Sequence, residues 1–151
     1  MAEAFSPADR EVLRSYAAFL TRVEKAMEEL RKRLSKTLGL VHASEVRSGR
    51  GYVYFCSIRS NAELCPGIRY GEDFILKPVL WIATRAQLEA VGYARDEEFP
   101  DYYVKEGELS EDFFKKSFEA QLQELESFFA GELRRLRLLG IIDEFSSTAM
   151  G

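Results

Sequence analysis

The stretch Leu40-Val41-His42-Ala43-Ser44-Glu45-Val46-Arg47-Ser48-Gly49-Arg50-Gly51-Tyr52-Val53-Tyr54-Phe55-Cys56-Ser57-Ile58-Arg59 decides the fold. In its second half Tyr52, Tyr54, Cys56 and Ile58 fall on one side of an extended chain, and Val53, Phe55, Ser57 and Arg59 on the other. Successive strand side chains point to opposite faces, so this alternation marks a strand. Ser48-Gly49-Arg50-Gly51 supplies the glycine-rich chemistry of a hairpin turn. The reading is two antiparallel strands, 40–47 and 52–59, joined by that turn.

Working outward, Phe74 to Ala83 reads as a third strand, and Pro78, which has no N–H, places it at an edge or a bulge. Cys65-Pro66 reads as part of a loop. Thr84 with Gln87 spells a capping box for a short helix over 84–91, ended by Gly92. An acidic loop follows, and Tyr102 to Lys105 reads as a short fourth strand.

Two helical stripes enclose this segment. Ser6 and Pro7 form a helix start, and Leu13, Tyr16, Leu20, Val23, Met27, Leu30 and Leu34 recur in steps of three and four over 6–38, the spacing of one apolar face. Phe114, Phe118, Leu122, Leu125, Phe129, Leu133 and Leu136 repeat the pattern over 110–139. The expected fold is one α+β domain, residues 1–151. A small antiparallel sheet of three to four strands is flanked by two long amphipathic helices plus one short helix, with 143–151 as a tail.

The chain has 151 residues, 46% hydrophobic and 30% charged, with 11 Phe, 7 Tyr and 1 Trp, enough for an aromatic-rich core. No apolar run reaches the roughly 18 residues that a membrane span needs. The first ten residues lack a secretory pattern, and two cysteines are too few to staple a secreted fold. A cytoplasmic setting without membrane attachment is the expectation. The first helix would be about 48 Å long, whereas a compact domain of this size is about 38 Å across. A second copy of the chain covering the overhang, hence a homodimer, follows.

The net charge of −4 hides a division. Residues 22–69 carry ten Lys/Arg and five Asp/Glu, whereas 70–132 carry six and fifteen. Arg47, Arg50 and Arg59, with Tyr52 and Tyr54 for stacking, are the candidate contacts for nucleic acid or a partner. A solvated hairpin is the alternative. Asp96, Glu97 and Glu98 are a candidate acidic contact, read first as a solvated turn because the spacing and glycine of a calcium loop are missing.

His42 is the lone histidine, and Cys65 with His42 makes a poor nucleophile–base pair because nothing orients it. Cys56 reads as a small buried hydrophobe. Trp81 and the tyrosines read as sheet packing before they read as a groove lining. No catalytic residue, metal ligand or cofactor motif is assigned. The order helix, three strands, short helix, strand, helix is similar to that of the PD-(D/E)xK nuclease-like fold, whose enzymes hold metal with an acidic residue and a D/E-x-K triplet on adjacent strands. No Asp or Glu stands two residues before any Lys here. The nearest substitute is Asp73 with Lys77, so only element order is shared, and fold alone would not supply activity. The expected function is a non-catalytic interaction or accessory protein that self-associates through its helices and meets a further protein partner. The alternative is a nucleic-acid-binding or nuclease-like domain, and an acidic inhibitor that mimics nucleic acid is a third reading.

Overall fold

The computed structural model describes residues 7–38, 43–59, 62–71 and 75–142. Two α-helices, α1 (Pro7–Leu38) and α2 (Phe118–Leu138), pack on a seven-stranded antiparallel sheet. Its strands are β1 (Arg47–Gly49), β2 (Tyr52–Tyr54), β3 (Ser57–Arg59), β4 (Ala62–Tyr70), β5 (Leu76–Ala83), β6 (Ala94–Arg95) and β7 (Tyr103–Glu106). They lie in the order β1-β2-β4-β5-β7-β6, with β3 also paired to β4.

The α+β class stands. The small sheet of three to four strands between long helices, with a short third helix, does not. Both helices lie on one face of the sheet. There Val23, Met27, Leu30 and Leu34 of α1 meet Leu122, Leu125, Phe129, Leu133 and Leu136 of α2 over Val53, Phe55, Leu64, Ile68, Leu80 and Ile82. The expected helix over 84–91 is only a 3-10 turn, Glu89–Val91, closed by Gly92 at φ 99°. The second long helix begins at Phe118 rather than near residue 110, capped by the Ser117 hydroxyl, which accepts from Ala120 N.

The largest correction is β4, which reads as a loop because of Pro66-Gly67. It pairs with β5 from Glu63 to Tyr70 and, on its other side, with β2 and then β3 in one unbroken register, from Tyr52 opposite Arg69 to Arg59 opposite Ala62. The two short strands are therefore one strand line, interrupted at Phe55-Cys56 where Pro66 stands opposite. Phe55 N donates to Pro66 O, but proline has no N–H to return the bond. Pro78 is tolerated in central β5 for a related reason. Its carbonyl accepts from Gly107 N, one residue beyond β7, so the missing donor falls where that ladder has ended.

A hairpin forms in the deciding stretch, but not with the expected first strand over 40–47: β1 starts only at Arg47, residues 43–46 lie in no strand, 40–42 fall outside the described residues, and the turn is Arg50-Gly51, with Gly51 at φ 89°. Polar links tie the helices together. Arg22 donates to Gln121 Oε1, and Arg33 bonds Glu119 at 2.7 Å and reaches Glu126 at 3.5 Å. Glu132 of α2 holds the far edge of the sheet by accepting from Tyr93, Lys105 and Arg135 at 2.9–3.1 Å. Burial alone would push its carboxyl up, but these three donors outweigh it and hold it below the ordinary range.

Candidate functional site

The face of the sheet turned away from the helices carries the site. Parity puts Tyr52, Tyr54 and Cys56 of the β2/β3 line there, beside Glu63, Cys65 and Gly67 of β4 and Val79 and Trp81 of β5. Beyond β6, the segment that leads into β7 folds back and adds Phe99 and Tyr102. Tyr52, Tyr54, Trp81, Phe99 and Tyr102, with Cys56 and Cys65, line a pocket of about 100 Å³. Tyr52, Tyr54, Trp81 and Phe99 contact one another at centroid distances of 5.3–6.3 Å, mostly edge to face, the arrangement that ring quadrupoles favour.

Two glycines seat these rings. A Cβ on Gly67 would stand 2.6 Å from the Trp81 ring and 2.8 Å from Val53 O, and one on Gly49 would stand 2.1 Å from the Tyr52 ring. Cys56 and Cys65, opposite each other across the Pro66 interruption, are joined as a disulfide with Cα atoms 4.1 Å apart. That separation is close to the spacing of a pair between the ladder's hydrogen bonds. Cys56 is therefore not the unpaired buried hydrophobe expected, and Cys65 is not a free nucleophile. Glu63 completes this corner, its carboxylate within 4.8 Å of both sulfurs. The Tyr102 hydroxyl donates to it in a short hydrogen bond. Desolvation, reinforced by Glu63, pushes the Tyr102 phenol up to about 12, so it remains a donor.

Asp96 anchors the other side. It is buried (4% exposed) and accepts from Trp81 Nε1 at 2.5 Å and from Arg69 at 2.9 Å. Its second oxygen accepts from the backbone N–H groups of Glu98 and Phe99, at 2.8 and 3.3 Å, so one carboxylate both positions the indole and shapes the turn that delivers Phe99. Burial pushes this carboxyl up, but the bonds from Trp81, Glu98 N and Arg69 more than offset it and leave it below the ordinary value. The Arg69 guanidinium lies 5.3 Å from the Trp81 ring centroid. It also reaches Glu98 and Glu106 at 3.6 Å.

The residues singled out in the sequence fall in different places. Tyr52 and Tyr54 line the pocket. Arg47 is exposed on β1 opposite Tyr54, and Arg50 is exposed in the turn. Arg59 ends β3, about 17 Å further along the strand line than Tyr54 at 3.3–3.4 Å per residue, and its side chain lies outside the described residues. Asp96 is a buried structural acceptor rather than part of a solvated turn, while Glu97 and Glu98 are exposed. Lys77 lies 3.5 Å from Glu106; Asp73 and His42, like the tail 143–151, fall outside the described residues. The sequence reading missed Glu63, Phe99, the disulfide and the role of Asp96. Two signals pointed to them: the two cysteines of an otherwise cysteine-free chain nine residues apart, and glycines on the face that carries large rings.

No family model, curated protein or solved structure matches the chain.

Proposed function

We propose that this chain is a non-catalytic recognition protein whose contact site is the aromatic pocket on the open face of the sheet. One observation carries the reading: five aromatic side chains from three separate segments converge on one pocket that stays accessible, with the disulfide as part of its lining. Aromatic residues in a partly open concavity are the usual anchors of a binding surface. The polar groups around it are engaged with one another, Asp96 with Trp81 and Arg69 and Glu63 with Tyr102. Nothing among the described lining residues pairs a nucleophile with a base. A protein partner is the proposed counterpart. The test is capture from the native host with wild-type chain and with Tyr52→Ala/Tyr54→Ala, each first checked for folding. A protein held by the wild type and lost with the variant supports the reading; equal recovery removes the pocket from it.

Self-association through α1 belongs to the same proposal. Among its described side chains the buried ones begin at Val23, and Tyr16, Phe19 and Leu20 on the preceding turns are partly exposed. The nucleic-acid alternative would draw on Arg47 and Arg50 at one end of the sheet. A salt-dependent mobility shift of a short duplex, weakened by Arg47→Ala/Arg50→Ala, is the outcome that reading requires.

A further inference from the structure

We propose that the pocket receives a methylated ammonium head group, packed against its aromatic rings and balanced by the carboxylate of Glu63. The inference rests on the reading of this pocket as the recognition site and names its ligand class. Four features of the site carry it.

The first is the lining. Apart from the two half-cystines, every lining residue is aromatic, and the negative π faces of such rings attract a cation within about 6 Å of their centroids. The fold already uses this attraction next door, where Arg69 lies over Trp81.

The second is charge. Glu63 is only partly buried, and among the described residues its one hydrogen-bond partner is the neutral Tyr102 hydroxyl, with no cation paired to it. Asp96, by contrast, is matched by Arg69. The Glu63 corner thus sets a carboxylate beside the rings and the two sulfurs, with no cation among the described residues paired to it. An anionic ligand would meet repulsion there.

The third is hydrogen-bonding capacity, which separates a methylated head from a bare one. An unmodified ammonium brings three N–H donors that must be satisfied when water is stripped away. The Tyr102 hydroxyl already donates to Glu63, and both sulfurs are bonded to each other. Apart from the tyrosine hydroxyls, the acceptors lie in the Glu63 carboxylate at one corner, and the walls are ring surface. A methylated ammonium presents C–H surface, carries its charge without N–H groups to satisfy, and suits such walls.

The fourth is size. A single water occupies about 10–15 Å³ on this measure, so about 100 Å³ admits a group of several heavy atoms and no more. The head enters and the rest of the ligand stays outside. A trimethylated lysine of a protein and a free choline-like molecule present the same head group.

Trp81 is the only tryptophan and forms a wall of the pocket, so its fluorescence reports binding directly. The probes are choline and its neutral carbon isostere, 3,3-dimethylbutan-1-ol. Choline is expected to saturate the signal with an affinity roughly tenfold above the isostere, the size of effect expected when a desolvated cation–π contact is lost. Glu63→Gln should weaken choline and leave the alcohol unchanged, narrowing the gap between them while the rings keep part of it. Tyr54→Phe, which keeps a ring, should preserve choline binding, and Tyr54→Leu should weaken it; this pair carries the test if Glu63→Gln unfolds. Equal affinity for choline and the alcohol would overturn the cation inference and leave the pocket standing as a binding site. No saturable change with either probe, or with lysine and trimethyl-lysine peptides, would overturn both readings. A trimethyl-lysine peptide that binds better than its unmodified twin and better than choline assigns the head group to a protein partner. Choline binding without peptide binding assigns it to a small molecule.

Discussion

Asp96 shows how much of this site hangs on one side chain. Its carboxylate accepts four hydrogen bonds, from Trp81, Arg69 and two backbone N–H groups, and thereby fixes both a wall of the pocket and the turn that brings Phe99 to it. Asp96→Ala would leave the indole N–H and Arg69 without their acceptor, at a cost of about 2–3 kcal/mol, and should red-shift Trp81 emission as water reaches the ring. The depressed carboxyl also sets a pH dependence. A group that holds its proton less tightly when folded contributes stability in full above its unfolded value, near 3.8, and loses that contribution as pH falls through the folded value. Chemical denaturation followed at Trp81 from pH 5 down to pH 2 should show stability falling below about pH 4, and Asp96→Asn should flatten that limb. An identical slope in the variant would assign the acid sensitivity elsewhere. Gly67 gives a second residue-scale prediction. Gly67→Ala puts a methyl group where the Trp81 ring and Val53 O already are. Overpacking of this kind costs about 1–3 kcal/mol, and the displaced indole should abolish the fluorescence response to pocket ligands. A variant of wild-type stability with an intact response would show that Trp81 is not held where Gly67 admits it.

At the scale of the element, the legible parts were those whose periodicity was uninterrupted. The stripes from Val23 to Leu34 and from Leu122 to Leu136 have the spacing of one helical face and form one, because nothing local competes with it. The alternation from Tyr52 to Arg59 gave the strand line and the two faces on which its residues fall. β4 was illegible because Pro66-Gly67 carries the strongest turn chemistry in the segment, and only tertiary context overrides it. The proline stands opposite the break at Phe55-Cys56, and the glycine makes room for Trp81. Ser110 misled for a different reason. It has the composition of an N-cap, but it is held by Glu124, which accepts from both its N–H and its hydroxyl, and the helix waits for Ser117. The pocket was out of reach because its members are distant in sequence and their grouping depends on β4. The Cys56–Cys65 bond staples that strand pair where its ladder is weakest. With its ends nine positions apart in the sequence, the chain-entropy contribution is about 2–3 kcal/mol, or roughly 4–12 °C in Tm for a domain of this length. A thiol-reactive probe should label no cysteine in the denatured, unreduced chain and two after reduction, and the reduced chain should melt lower by that margin. Two reactive thiols without reduction would mean that the staple is not made.

For the whole molecule, the sheet's two faces divide the work. The helix-covered face contains the main core, with both helices upon it, while among the described residues the opposite face buries the small cluster of Cys65, Val79 and Trp81. Leaving one sheet face largely uncovered is tolerable for antiparallel strands, and here it exposes the pocket without weakening the main core. It also puts the proposed binding site and the proposed assembly surface on opposite sides of the sheet, because α1 lies on the other face. α1 has 32 residues, about 48 Å at 1.5 Å per residue, yet among its described side chains the buried ones run only from Val23 to Leu34. On the turns before that, Tyr16 and Phe19 reach Tyr70, with ring centroids 6.5 and 5.8 Å away, whereas Leu20 is half-buried beside exposed Ala17 and Ala18. A second copy laid antiparallel along this segment would cover Leu20 and the alanines of both chains by a two-fold contact. Light scattering at tens of micromolar should then give a mass of about twice 17.3 kDa. Leu20→Glu, which places a charge in that contact without touching the buried run, should return one chain of unchanged helix content and unchanged Trp81 response. A wild-type mass of one chain rejects the dimer and leaves the pocket untouched, because the two surfaces share no residue.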